Sequence, residues 1–200
     1  RSSDTKVIPE EELEQARSIM TPEQYEQEFE CSFTAAVSGS YYGRLITKAD
    51  KDGRIGYVPV DDNVGVETWW DLGIGDSTAI WFAQRVGQEV HLIDYYENSG
   101  ESLAHYVDVL TEKDYAYSCH IAPHDIQARE LGTGKSRLEV AAELGLDFQV
   151  APKLEVDHGI ESVRNTLKDC WFDREKCKTG LDALRQYRKQ WDEKNQVFKN

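Results

Sequence analysis

The chain has 200 residues, enough for one ordinary domain, and its 40% hydrophobic content supplies a sizeable core. With 37 acidic against 23 basic residues the formal net charge is −14, which works against non-specific nucleic-acid binding by the surface as a whole. A local basic groove, or an acidic site that works through divalent cations, stays open. No run of 18 apolar residues is present, so no membrane span is expected. The opening "RSSDTKVIPEEELEQ" lacks the charged-then-apolar pattern of a secretory signal. Cys31, Cys119, Cys170 and Cys177 show no C-x-x-C spacing and read as reduced thiols of a cytosolic protein.

Residues 1–40 read as two short polar helices. "IPEEELEQARSIM" sets Ile8, Leu13, Ala16, Ile19 and Met20 at helical spacing behind an acidic first turn. In "TPEQYEQEF", Thr21 is an N-cap and Pro22 takes the first helical position. Both bury little by themselves and suit a linker from a preceding domain. Residues 41–65 read as irregular, with "YYGRLI" as a short strand.

From residue 66 the pattern changes. "VETWWDLG", "STAIWFAQRV" and "EVHLIDYYEN" are three strand-like runs whose breaks are short enough for an antiparallel meander. "SGESLAHYVDVLTEKD" predicts a helix capped by Ser99 or Ser102, and "YSCHIAPHD" a fourth strand ended by Pro123. "KSRLEVAAELG" predicts a helix stopped by Gly145, and "DFQVAP" a fifth strand. "DHGIESVRNTLKDCWF" and "GLDALRQYRKQW" read as two further helices. The order β-β-β-α-β-α-β-α-α describes an α/β sheet of mixed strand direction flanked by helices.

Asp71 closes the first of these strands, and Asp125 follows the fourth. A crossover in this order returns the fourth strand beside the first, so both carboxylates emerge at neighbouring strand ends. Their like charges repel, and Mg²⁺ or Mn²⁺ between them would hold both ionised. Two ions roughly 3.5–4 Å apart would clamp the attacking and leaving oxygens of a phosphodiester. Aspartates after strands are also ordinary turn formers. His124 is open to two roles, in the chemistry or in orienting Asp125, and Asp76 is either a supporting group or a plain turn residue.

"LGTGKS" (131–136) has the look of a phosphate-binding loop, but the full pattern requires glycine where Arg129 stands, and no strand leads into it. ATP binding at Gly132–Ser136 is therefore not expected. Arg129, Lys135 and Arg137 are better placed to touch DNA phosphates. Cys170, Cys177 and His158 lack the spacing of a zinc site. Trp69 and Trp70 alternate across the first strand and read as core. Arg164, Lys168, Arg174, Lys176, Lys178, Arg185, Arg188 and Lys189 concentrate positive charge in the last third. That makes either a DNA-facing side, with Arg164 and Lys168 as contacts, or a solvated helical face.

"MTPEQYEQEFECSF", "WWDLGIGDSTAIWF", "HDIQARELGTGKSRLEVAAELG" and "GIESVRNTLKDCWFDREKC…GLDALRQYR" resemble the C-terminal nuclease domain of the tailed-bacteriophage terminase large subunit, as several motifs in order over residues 10–198. The resemblance implies a ribonuclease H-like fold for residues 41–200, with residues 1–40 ending the linker from a packaging ATPase domain of the same polypeptide. It implies a metal-dependent endonuclease that cuts concatemeric double-stranded DNA by two-metal hydrolysis. Asp71 and Asp125 would be ligands of two Mg²⁺ or Mn²⁺ ions, with His124 beside them. A portal protein and a small terminase subunit would be partners, in the cytoplasm of an infected bacterial host. A third acidic ligand, which the family carries in a stretch resembling "HD-x-x-S-H-x-A-D-A", is expected beyond Asn200. Asp157, Asp169, Asp173 and Asp182 read as solvated groups and not as its substitutes. The competing readings are a non-catalytic docking module of the packaging motor and another ribonuclease H-like nuclease such as a resolvase.

Overall fold

The computed structural model describes residues 39–73, 77–129, 134–188, 190–192 and 197–199. Seven strands form one mixed sheet: β1 (Ile55–Gly56), β2 (Val66–Asp71), β3 (Ser77–Val86), β4 (Glu89–Ser99), β5 (Tyr117–Ala122), β6 (Phe148–Val150) and β7 (Cys170–Asp173). Their spatial order is β1-β7-β4-β3-β2-β5-β6. Five α-helices accompany them among the described residues: α1 (Gly43–Lys51), α2 (Leu103–Lys113), α3 (Arg137–Glu143), α4 (Val156–Thr166) and α5 (Lys178–Gln186). A 3₁₀ turn, His124–Gln127, follows β5, and β8 (Gln190–Asp192) pairs separately with β9 (Val197–Lys199). Among the described residues no helix is long and apolar enough to cross a membrane.

The meander expected from the sequence is β2-β3-β4, antiparallel throughout, with Gly87 at φ +64 making the tight β3–β4 turn. After α2 the chain returns to lay β5 parallel to β2, from Val66↔Tyr117 to Trp69↔Ile121. Along β2, Val66, Thr68 and Trp70 are buried on one face, while Glu67 and Trp69 are half-buried on the other. Each face carries its own core. Ile46, Ala83, Leu92, Phe172 and Leu181 lie in one, beneath α1 and α5. Trp70, Ile80, Phe82, Ile93, Tyr106 and Ile126 lie in the other, beneath α2 and α3. Full burial of each large apolar side chain contributes about 1.5–3 kcal/mol.

The β3–β4 ladder contains one irregularity. Ala83 pairs with Leu92 and Phe82 pairs with Asp94, so Ile93 is an inserted residue. Beyond it, Tyr95 opposes Trp81 and Glu97 opposes Ala79.

Three sequence expectations are corrected. Residues 43–51 form helix α1, not an irregular stretch with a strand at "YYGRLI": Ile46 and Ala49 are buried three apart on one helical face. The "CWF" segment leaves its helix, because α4 ends at Thr166 and Cys170–Asp173 inserts as β7 between β1 and β4. Three of its four residues are buried, which sheet insertion achieves and a surface helix would not. The last helix stops at Gln186, and Gln190–Asp192 is extended. The two helices expected within residues 1–40 lie outside the described residues apart from Gly39 and Ser40.

Candidate active site

Because β2 and β5 are parallel neighbours, their carboxyl ends share one edge of the sheet. Asp71 ends β2 there. Pro123, at φ −66 and ψ 158, turns the chain out of β5 into the 3₁₀ turn. Ile126 anchors that turn with no exposed surface, which leaves His124 and Asp125 exposed. The pKa of Asp71 is raised, first by desolvation and second by the charge of Asp125, with no lowering contribution. Asp71 as a residue is exposed, so this desolvation is one-sided: protein crowds the carboxylate while solvent still reaches it. The two carboxylates are thus within Coulomb range, and repulsion between them is unrelieved at Asp71.

Two further side chains share this face, and sequence reasoning passed over both. Asp71 and Glu97 oppose Ala79 from either side, so they share a face with their Cα atoms about 9–10 Å apart across two strand spacings. Tyr95 lies two residues before Glu97 and donates its hydroxyl proton to that carboxylate at 2.5 Å. Its pKa is raised by burial first, then by Glu97, then by Asp71. Alternation along β4 would have pointed to this pair only with knowledge of the inserted Ile93.

The oxygen donors of Asp71 and Asp125 suit a hard divalent cation. Among the described residues no group of three His, Cys, Asp or Glu side chains is placed to hold a metal ion. Asp157 and Asp169 are exposed elsewhere, and Asp182 pairs with Arg185 at 2.9 Å. Asp173 is buried and accepts backbone N–H groups of Val58, Glu175 and Lys176. The sulfurs of Cys170 and Cys177 donate to the carbonyls of Thr166 and Leu92, and burial pushes both thiols up to about 12. Asp76 lies outside the described residues.

The expected DNA contacts divide. Arg129 follows the 3₁₀ turn and is exposed, and its backbone bridges to Ser136. Arg137 donates from Nη1 to the carbonyl of Leu72, the residue after Asp71, at 3.3 Å. Both therefore flank the strand end that carries Asp71. Lys135 pairs with Glu143 at 2.5 Å on the exposed side of α3. Ser136 caps α3 in a reciprocal capping box with Glu139, which commits its hydroxyl to the helix. Arg164 is elsewhere: Nε donates to the carbonyl of Tyr41 at 3.2 Å and Nη1 pairs with Glu161 at 3.2 Å. Lys168 donates to Asn165 at 2.7 Å. It precedes β7, which runs parallel to β4, so it sits at the amino-terminal edge, opposite Asp71. The structure brings Asp71, Asp125, His124, Arg129 and Arg137 to one edge and leaves Arg164 and Lys168 away from it.

Neither a protein-family model nor a curated protein sequence matches the chain. Solved structures do match. The P22 large terminase nuclease domain aligns over 74% of this chain and 80% of its own, at 15% identity and a TM-score of 0.55. The large terminase nuclease of thermophilic phage G20c, with bound magnesium, aligns over 80% and 87%, at 16% identity and a TM-score of 0.53. The chain has the fold of a phage terminase nuclease domain. The order β4-β3-β2-β5-β6, an antiparallel meander followed by parallel strands, is ribonuclease H-like. A large terminase from a thermophilic bacteriophage, in complex with ATP-gamma-S, aligns over 98% of this chain at 16% identity and a TM-score of 0.60. The chain spans 49% of that terminase.

Proposed function

We propose that the chain is the nuclease part of a phage DNA-packaging terminase, a metal-dependent endonuclease that cleaves double-stranded DNA. On this reading residues 41–200 are the nuclease domain, residues 1–40 link it to an ATPase domain, and a portal protein and a small subunit are partners in the host cytoplasm. The observation that carries it is the pair Asp71 and Asp125 at adjacent parallel strand ends, their repulsion unrelieved at Asp71. A magnesium-bound structure of a nuclease with this fold supports the choice of cation.

Asp71 and Asp125 would hold Mg²⁺ or Mn²⁺. Magnesium is commonly bound by one or two carboxylates, with waters and substrate phosphates completing its shell, so the pair suits one ion. A second ion calls for a further carboxylate. The bound metal would supply charge neutralisation at the phosphate and an acidified water. The chain's own groups do the rest. The ladder position of Asp71 against Ala79, and the buried Ile126 beside Asp125, anchor the backbone that carries each carboxylate. His124 would orient Asp125 or contact the phosphate.

The test is plasmid nicking together with Mn²⁺ titration by calorimetry. Mn²⁺ should bind the protein, bind at least tenfold more weakly to Asp71→Asn and to Asp125→Asn, and support nicking that both substitutions abolish. Mn²⁺ binding that ignores both substitutions would sink the reading. Binding without nicking, even after extension past Asn200, would favour the docking-module alternative.

A further inference from the structure

A cleft of about 550 Å³ opens at the same edge, on the opposite face of the sheet from Asp71. Its walls are continuations of the two carboxylate-bearing segments. Leu72 and Gly73 follow Asp71 directly, and Ala128 and Arg129 come three and four residues after Asp125. The volume lies in the range of small-molecule sites.

The lining has two characters. Arg129 and Arg137 reach it from separate segments, Arg137 with its Nη1 also bonded to the Leu72 carbonyl. The first turn of α2 reaches it from the opposite wall through Glu101, Ser102 and Leu103. Ser102 is the N-cap but makes no side-chain capping bond, and the first turn of this 11-residue helix carries no acidic residue. Its N–H groups and partial positive charge add to the two guanidinium groups, and Glu101 is the opposing charge. Leu72, Leu103, Tyr106 and Val140 form an apolar floor, with Thr78 beside it. Cations beside an apolar floor fit a phosphate that carries a nucleoside.

We infer that this cleft is a nucleotide subsite, in which one nucleotide of a DNA strand, unpaired next to the cut, seats its phosphate on Arg129 and Arg137 and its base on the apolar floor. This rests on the nuclease reading and deepens it. A base still paired in a duplex has no free face to offer such a cleft, so the site distinguishes DNA with unpaired nucleotides from a continuous duplex. A free nucleotide shares the same chemistry, and the test separates the two sources.

The experiment measures binding in EDTA, where no cutting occurs and the metal site plays no part. Fluorescent hairpin duplexes, one blunt and one with a three-nucleotide single-stranded tail, are titrated into the protein and followed by anisotropy. The tailed hairpin should bind about tenfold tighter, since one charge-assisted contact accounts for that factor. Arg129→Ala should remove the preference. So should Ser102→Glu, which places a carboxylate at the mouth while suiting the helix amino terminus. Thermal midpoints of both variants should match the parent, because Arg129 and Ser102 are exposed. Deoxyadenosine monophosphate should compete with the tail at millimolar concentration, and inorganic phosphate should not. Equal binding of the two hairpins, or a preference that survives both substitutions, overturns the subsite. A free nucleotide that binds more tightly than the tailed hairpin overturns its assignment to DNA. None of these outcomes touches Mn²⁺ binding at Asp71 and Asp125, so the nuclease reading stands or falls separately.

Discussion

The two ends of the parallel strands treat charge in opposite ways. At the amino-terminal edge the cations are spent on the fold. Arg54 donates from Nη1 to the carbonyls of Leu167 at 3.2 Å and Cys170 at 2.5 Å, closing the chain over the start of β7. Arg164 ties α4 to Tyr41, and Lys168 bonds Asn165. At the carboxyl-terminal edge Asp71 faces the like charge of Asp125, and among the described residues no contribution lowers its pKa. One end of the sheet is built to be stable, and the other holds repulsion ready for a cation. The difference also explains why the cationic last third of the sequence is a poor guide to a ligand face: many of its charges are already bound within the protein.

The largest effect expected from this contrast is on cleavage. Asp71→Asn should lower metal-dependent nicking by two or more orders of magnitude, while its thermal midpoint in EDTA stays equal to the parent's or rises, since a repelling charge has gone. A marked loss of stability would mean that Asp71 belongs to the structural end after all. Arg54→Ala should do the reverse. It leaves two carbonyls without their charged donor and should cost about 1.5–3 kcal/mol in denaturant unfolding, with Mn²⁺ affinity unchanged. Gly180→Ala tests how α5 supports the Asp71 face. A Cβ there would meet Trp81 at 2.5 Å and Tyr95 at 2.7 Å, so about 1–3 kcal/mol of destabilisation is expected.

A smaller effect follows from His120. Thr68 Oγ1 accepts the Trp70 indole N–H at 2.7 Å and is hydrogen-bonded to His120 Nδ1 at 2.7 Å. Burial lowers the pKa of His120, with Asp147 pulling partly the other way. The folded state therefore takes up the proton less readily than the unfolded one. Stability is complete above the ordinary histidine value of about 6.5 and is lost as pH falls toward the lower folded value. Thermal midpoints measured between pH 5 and 7.5 should fall on acidification. His120→Asn, whose Oδ1 can accept from Thr68, should flatten that slope. The smallest effect is on thiol reactivity. In the native protein Cys170 and Cys177 should resist alkylation at neutral pH, where Cys119 reacts faster.

Where the sequence was readable, one clear periodicity carried the answer. The alternation in "VETWWD" and the Gly87 turn foretold the meander, and the position of Asp71 at a strand end survived intact into the structure. The β2–β5 neighbourhood is the one expected from a crossover in the β-β-β-α-β order. The misses have physical causes. Cys170–Asp173 is four residues long, too short to express a period, and it follows a helix whose pattern runs into it. Helix α1 spans nine residues and begins at a glycine, so its three buried positions, Gly43, Ile46 and Ala49, carried little signal. Tyr95 and Glu97 were hidden because one extra residue in β4 moves them to a face that plain alternation does not assign.

That extra residue has a consequence for how the chain tolerates change. Ile93 acts as a phase shifter: everything after it in β4 is half a period out of step with everything before it. Deleting this one residue would nonetheless leave Tyr95 and Glu97 on the Asp71 face, because Asp94 alone would then oppose Phe82 and plain alternation would run through to Glu97. What would go is the Ile93 side chain in the core beneath α2, together with the local twist that an inserted residue gives its strand. The site face of β4 thus tolerates loss of the inserted residue, whereas one further residue in β4 without a second bulge would turn Tyr95 and Glu97 toward the core beneath α2.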